Sequence, residues 1–184
     1  ARSRKSHCGQ PLRAVFRGRL LPRDSQVTFM ITVKEVKTKK DIKAFLDFPL
    51  ELYKNCEYFV PPLYGDEKKM FSKNFVYNDT CESVFFLAES DGKTVGRISG
   101  IIQKASNEKN NEKRVRFTRF DAIDDVNVSS ALFSAVESWA KNKGMTEICG
   151  PLGYSDLERE GLLIYGFNEL STFEEQYNYD YYPA

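Results

Sequence analysis

The chain has 184 residues but only one histidine, His7, and this scarcity limits the chemistry that the sequence supports. Ser-His-Asp catalysis, Cys-His catalysis and histidine-ligated zinc each require an imidazole as a base or as a ligand. His7 lies near the N-terminus, in a segment of unusual composition, so residues 30–184 contain no imidazole. These three kinds of site are therefore excluded from that part of the chain.

Cysteine and long apolar runs are also sparse. The four cysteines, Cys8, Cys56, Cys81 and Cys149, are widely spaced and form no CxxC pair, so we expect reduced thiols. No run approaches the roughly 18 apolar residues that a membrane-spanning helix needs, and no secretory leader is recognisable. The sequence therefore predicts a cytoplasmic protein without a membrane partner and without a metal.

The net charge of +1 conceals two different compositions. Residues 1–29 hold seven of the 27 Lys and Arg and one of the 26 Asp and Glu, a local charge of +6, whereas the remainder carries −5. Because the content of basic and acidic residues changes abruptly at Met30, we interpret residues 1–29 as a basic arm that is non-native or disordered. A native arm of this charge would instead favour a nucleic-acid or membrane surface, although nucleic acid is an unlikely partner.

Beyond Met30 the pattern alternates between strands and helices. Ile31 to Val36 is typical of a strand, and Thr38 with Asp41 predicts a capping box for a first helix. Pro49 predicts a kink or break in that helix, because proline lacks a backbone donor. A short helical piece over 66–71 is also expected.

The second half of the pattern begins with a hairpin. Asp91-Gly92 joins an apolar run at 83–88 to a strand at 94–103, and the polar stretch 106–113 predicts a loop. Residues 114–120 alternate in polarity, 128–144 repeat apolar residues at helical spacing, and 145–149 predict a last strand. This strand-helix-strand unit predicts a parallel pair of strands. The fold class is therefore α/β, with a mixed α+β sheet flanked by helices.

The element order is similar to the GNAT superfamily of acyl-CoA N-acyltransferases, and five local segments resemble a bacterial GNAT-like family whose members are longer than this chain. These segments are Phe59-Val60-Pro61-Pro62-Leu63, Arg116 to Asp125, Gly150-Pro151, Glu160-Gly161-Leu162-Leu163 and Tyr177 to Pro183. The resemblance covers 30–184 and implies a GNAT-like domain that is C-terminally truncated.

The resemblance implies acetyl-CoA or another acyl-CoA as co-substrate. Its pantetheine arm would bind along the fourth strand near Phe120, Asp121 and Ala122, where a backbone N–H polarises the thioester carbonyl. The pyrophosphate would bind at the start of the following helix, near Asn127, Ser129 and Ser130. GNAT proteins carry a Gln/Arg-x-x-Gly-x-Gly/Ala pattern there, from which Asp124, Asn127 and Ser129 depart.

Catalysis in a GNAT protein needs a base for the amine and an acid for the departing thiolate. The resemblance implies Glu158, Glu160 or Asp156 as the base and Tyr181 or Tyr182 as the acid. The expected substrate is a small-molecule or peptide amine. Two functions stay open: an N-acyltransferase, or a degenerate non-catalytic lobe that serves as a scaffold or interaction surface.

Overall fold

A computed structural model describes residues 30–183 of the chain. The basic arm at 1–29, which the sequence analysis predicts to be non-native or disordered, lies outside the described residues. Within the described part, five strands form one sheet in the order β1-β2-β3-β4-β5. The strands are β1 Thr32–Glu35, β2 Cys81–Ser90, β3 Lys93–Gln103, β4 Arg114–Ala122 and β5 Glu147–Cys149.

The sheet is mixed, as the sequence predicts. Neighbouring strands from β1 to β4 are antiparallel, whereas β4 and β5 are parallel and pair through Arg114 to Arg116. The predicted hairpin is confirmed: Asp91 and Gly92 have φ values of 50° and 73° and connect β2 to β3. Two consecutive positive φ values suit a tight turn between twisted strands, which is why an Asp-Gly pair occupies it.

Four helices accompany the sheet: α1 Lys39–Leu52, α2 Tyr64–Lys69, α3 Lys104–Asn110 and α4 Val126–Asn142. The Thr38 capping box of α1 is present, with its hydroxyl accepting from the Asp41 N–H and the Asp41 carboxylate accepting from the Thr38 N–H. Two expectations need correction. Helix α1 continues through Pro49 rather than splitting there, and most of the polar stretch predicted as a loop belongs to α3.

The helices lie on both faces of the sheet. Gly96 and Gly100 of β3 contact α4, whereas Arg97 between them bonds to α1. Since successive side chains of a strand point to opposite faces, α4 covers one face and α1 covers the other. The α4 face is an apolar core built on Ile98, Ile102, Val115, Val128, Leu132 and Val136. The α1 face carries the charged residues described below.

Gly96 allows the close approach of α4, and we predict that Gly96→Ala destabilises the chain. A β-carbon at this position would lie 2.8 Å from Leu132 Cδ1 and 2.9 Å from Val128 Cγ1. Overpacking of this kind lowers the free energy of unfolding by about 1–3 kcal/mol. Gly65→Ala in α2 is the control, because no atom lies within 4 Å of its added carbon. Equal losses for the two variants in urea denaturation would contradict this packing argument.

Residues 150–183 contain no helix or strand and lie over the charged face as turns and irregular chain. Buried side chains anchor this segment. Asn178 accepts from the Leu163 N–H and donates to the Leu163 carbonyl, while the buried Tyr177 packs edge-on against Tyr53. The segment therefore forms an ordered cover over the charged face.

Candidate active site

A cavity of about 380 Å³ lies between the charged face of the sheet, helix α2 and the covering segment. Thr118, Arg119 and Asp121 of β4 line its floor, together with Arg97 of β3. Its other walls include Glu67 of α2 and the apolar side chains Pro49, Phe59, Pro62, Leu63, Met70, Phe75, Leu157 and Phe173. The lining is more charged than that of most small-molecule sites, but the volume lies in their usual range.

A β-bulge shapes the floor of the cavity. Ser99 pairs with Thr118 and Arg97 pairs with Asp121, so three steps along β4 match two along β3. The bulged residue is Arg119, whose φ is 49°. The extra residue brings Thr118 and Arg119 into the cavity together, in place of strict alternation. The guanidinium of Arg119 thereby reaches α2 and the covering segment.

Arg119 joins two carboxylates across the cavity. Its Nε and Nη2 donate to the two oxygens of Glu67 at 3.0 and 3.1 Å, and Nη1 and Nη2 each donate to Glu158 at 3.3 Å. Burial by itself would raise the pKa of Glu67, but the charge and hydrogen bonds of Arg119 outweigh burial and lower it. Glu67 is therefore held ionised beside Arg119.

A second ion pair is buried beneath the cavity. Arg97 Nε donates to Asp121 at 2.8 Å, and both side chains are about 5% exposed or less. Arg97 Nη1 also donates to the Phe45 carbonyl at 2.9 Å. That carbonyl would normally accept from the N–H of residue 49, which is Pro49 and has none. The Phe45 carbonyl therefore accepts a hydrogen bond from Arg97 in place of the backbone N–H that Pro49 lacks.

The edge of β4 beyond β5 is held by two tyrosines. β5 pairs with β4 only as far as Arg116, and the Ala122 N–H donates to the Tyr182 hydroxyl at 2.7 Å. The Tyr181 hydroxyl donates to the Ala122 carbonyl at 2.7 Å. Both backbone groups of Ala122 are therefore bonded to consecutive tyrosines, which we call the tyrosine pair.

Tyr53 connects the tyrosine pair to the buried ion pair. Its hydroxyl donates to Asp121 at 3.1 Å and lies 3.4 Å from the Tyr182 hydroxyl. Burial, followed by the nearby charge of Asp121, raises the pKa of both phenols. Both hydroxyls therefore stay protonated near neutral pH, and a continuous polar chain runs from Arg97 to the Ala122 backbone.

The side-chain carboxylate of Asp125 caps the start of helix α4. Asp125 is the N-cap residue and accepts from the Asn127 N–H at 2.8 Å and from the Asn127 side chain at 2.9 Å. The Ser129 hydroxyl donates to the Val126 carbonyl, and Ser130 is exposed. The predicted phosphate-binding residues thus lie together at the helix start, but Asp125 already uses one backbone donor there.

The other predicted residues separate into two groups. Phe120, Asp121, Ala122 and Tyr182 meet at the end of β4, and Glu158 lines the cavity beside them. Glu160 is exposed and does not line the cavity.

Sequence reasoning missed Arg97, Glu67, Arg119 and Tyr53. A signal existed for Arg97, which is a lone charge in the apolar run from Val95 to Ile102.

Residues 30–183 contain neither a metal-ligand cluster nor a membrane-spanning helix. In that range no group of three or more His, Cys, Asp or Glu side chains is placed to hold a metal ion. No helix in the same range is long and apolar enough to cross a membrane.

Comparisons with known proteins place this geometry in context. No family model matches the sequence. The chain is 35% identical over 147 residues to Protein YghO of Escherichia coli strain K12, covering 78% of the chain and 38% of that protein. It is 33% identical over 141 residues to the Bacterial ceramide synthase of Caulobacter vibrioides, covering 75% of the chain and 36% of that protein. The chain therefore spans little more than a third of the length of these relatives.

A solved structure identifies the fold. A tandem GNAT protein from the clavulanic acid biosynthesis pathway matches with a TM-score of 0.51 at 13% identity. The match covers 65% of this chain and 35% of that protein. The mixed five-stranded sheet with flanking helices is therefore GNAT-like, which confirms the expected fold class.

Proposed function

We propose that the protein containing this GNAT-like fold transfers an acyl group from an acyl-CoA to an amine. The observation that carries the proposal is the β4 edge at Ala122, which extends beyond β5 and adjoins a charged cavity. A strand edge without a neighbouring strand offers backbone donors and acceptors to an extended ligand such as a pantetheine arm. The amine would occupy the adjacent cavity.

The acyl-CoA would use backbone groups on β4 and α4. The Ala122 N–H would donate to the thioester oxygen, and the Phe120 and Asp121 backbone would flank the pantetheine arm. Asn127, Ser129 and Ser130 would face the phosphates at the start of α4. In this scheme the hydrogen bond from the Ala122 N–H to the Tyr182 hydroxyl has to break, because one N–H cannot donate fully to both that hydroxyl and the thioester oxygen.

The proton-transfer roles follow from position. Glu158 is the best placed of the three proposed bases because it lines the cavity, whereas Asp156 and Glu160 are exposed. Arg119 holds Glu158 in place at 3.3 Å, and the amine proton would pass to its carboxylate directly or through an intervening water. Tyr182 would be the acid for the thiolate, since its hydroxyl lies at the strand edge and keeps its proton near neutral pH.

The acceptor class that we propose is a long-chain amine. Leu63, Leu157 and Phe173 line the cavity and are 58%, 90% and 49% exposed, so they present apolar surface at its margin. Such surface suits a hydrocarbon chain whose amine lies on the charged floor. A ceramide is an N-acylated long-chain amine, and the Caulobacter relative is named a ceramide synthase.

Binding and turnover on the full-length protein test this function. Calorimetry with acetyl-CoA and with palmitoyl-CoA should show binding of at least one, and free thiol should appear only when an amine is added. Sphinganine is the long-chain amine to compare with a short amine such as ethanolamine. Absence of binding for both acyl-CoAs would refute the proposal.

The non-catalytic lobe remains the second candidate, and Asp125 is the observation that favours it. Its carboxylate occupies a donor at the start of α4, and Asp124 adds a second negative charge where phosphates would dock. Like charges at such a site cost on the order of 1 kcal/mol each near solvent. A lobe that binds no phosphate would be indifferent to these carboxylates.

Substitution of Asp124 separates the two candidates. If α4 binds the phosphates, Asp124→Gln removes a repelling charge and should tighten acyl-CoA binding about fivefold, close to 1 kcal/mol. Glu137→Gln, an exposed change further along α4, is the matched control and should leave the affinity unchanged. An unchanged affinity in Asp124→Gln would support the non-catalytic lobe instead.

A further inference from the structure

The charges around the cavity are nearly all paired with one another. Within the described residues, three groups of ion pairs account for most of them: Lys69 with Asp66, Arg97 with Asp121, and Arg119 with Glu67 and Glu158. Arg159 is the exception among the lining cations, because no carboxylate of residues 30–183 lies within 4 Å of it.

Arg159 is fixed in place but keeps donors to spare. Its Nε donates to the Phe173 carbonyl at 2.9 Å, and Nη2 donates to the same oxygen. Within the described residues Nη1 has no hydrogen-bond partner. The single carbonyl orients the planar group without neutralising it, so the rest of the guanidinium fork is available to a ligand.

The surroundings of Arg159 combine partial burial with charges of both signs. Burial lowers the pKa of this guanidinium; among the nearby charges, those of Glu67 and Asp121 oppose the shift, whereas those of Arg97 and Arg119 add to it. Glu174 also lines the cavity, but it is exposed and makes no ion pair with Arg159. An anion entering the cavity would therefore meet a guanidinium that makes no direct ion pair with a carboxylate of residues 30–183.

We propose that Arg159 binds an anionic group, a phosphate, sulfonate or carboxylate, carried by the acyl acceptor. The acceptor is then a long-chain amine with a negative group near its nitrogen, held by the guanidinium fork in a charge-assisted contact. Assignment of this group to the acceptor rests on the proposed function. Binding of an anion at Arg159 does not, because it depends only on the geometry of the cavity.

Two measurements on the full-length protein test the site separately from the reaction. The first compares sphinganine with sphinganine 1-phosphate as acceptors, in the same detergent, by the ratio of their kcat/KM values. The wild type should prefer the phosphorylated amine by about tenfold or more, and Arg159→Gln should bring that ratio to about one. Arg159→Lys keeps the charge without the fork and should retain part of the preference. Arg114→Gln, a surface change at the far end of β4, should leave the ratio as in the wild type.

The second measurement is calorimetric binding of inorganic phosphate in the absence of acyl-CoA. Arg159→Gln should weaken phosphate binding about tenfold or more relative to Arg114→Gln. Equal acceptor ratios in wild type and Arg159→Gln would overturn the assignment to the acceptor. If no amine is acylated, the proposed function fails, and phosphate binding alone decides the anion site. Equal phosphate affinities for wild type and Arg159→Gln would overturn it.

Discussion

Arg97→Met is expected to lower the free energy of unfolding of the chain by about 3–5 kcal/mol. The substitution leaves Asp121 buried at 3% exposure without its counter-charge, and it also leaves the Phe45 carbonyl beside Pro49 without its donor. Burial of an unpaired charge is among the most destabilising single changes. Urea denaturation followed by circular dichroism measures the loss.

Two controls separate the unpaired charge from the loss of an arginine. Arg114→Met removes a partly exposed arginine with two surface carboxylate partners, and should cost about 1 kcal/mol or less. The double variant Arg97→Met with Asp121→Leu removes both buried charges and should recover much of the stability. A loss for Arg97→Met no larger than that for Arg114→Met would show that the buried pair is not what matters.

Tyr182→Phe is expected to lower kcat of acyl transfer in the full-length protein by about 10²-fold or more, if its hydroxyl is the acid for the thiolate. The same change frees the Ala122 N–H, which now donates to that hydroxyl at 2.7 Å. The dissociation constant of acyl-CoA should therefore fall or stay constant while the rate falls. Stopped-flow turnover and equilibrium binding give these two quantities separately.

Tyr181→Phe is the matched control for this prediction. Its hydroxyl bonds to the Ala122 carbonyl, so its loss disturbs the same strand edge without touching the N–H. We expect a rate within about tenfold of the wild type, since the tyrosine acid is retained. A normal kcat in Tyr182→Phe together with tighter acyl-CoA binding would mean that Tyr182 only covers the edge.

The order and type of the main elements are readable from the sequence because each has a local cause. The Thr38 capping box, the Asp91-Gly92 turn and the apolar stripe of α4 each act over a few residues. Helix α3 was missed because its sequence, Lys-Ala-Ser-Asn-Glu-Lys-Asn, has no apolar stripe. The continuity of α1 was missed because the acceptor freed by Pro49 is bonded by Arg97, far away in sequence.

The site was predictable only in part for a similar reason. The resemblance pointed to the end of β4 and the start of α4, where Ala122 and Asn127 lie, and their binding roles stay predictions. The ion pairs that Arg97 and Arg119 make in the cavity join residues separated by 24 to 52 positions, such as Arg97 with Asp121 and Arg119 with Glu67. Nothing local in the sequence marks those partners. The bulge at Arg119, which brings them together, also leaves no clear pattern.

The bulge at Arg119 also bears on how the chain avoids misfolding. Without the extra residue, continuation of the Ser99–Thr118 pairing would place Asp121 opposite Gly96, on the apolar face against Val128 and Leu132. An ionised carboxylate there would cost several kcal/mol. Slippage of β4 by one residue is thus penalised by charge as well as by packing. The carboxylate that supports the cavity in the native sheet therefore also disfavours the misaligned sheet.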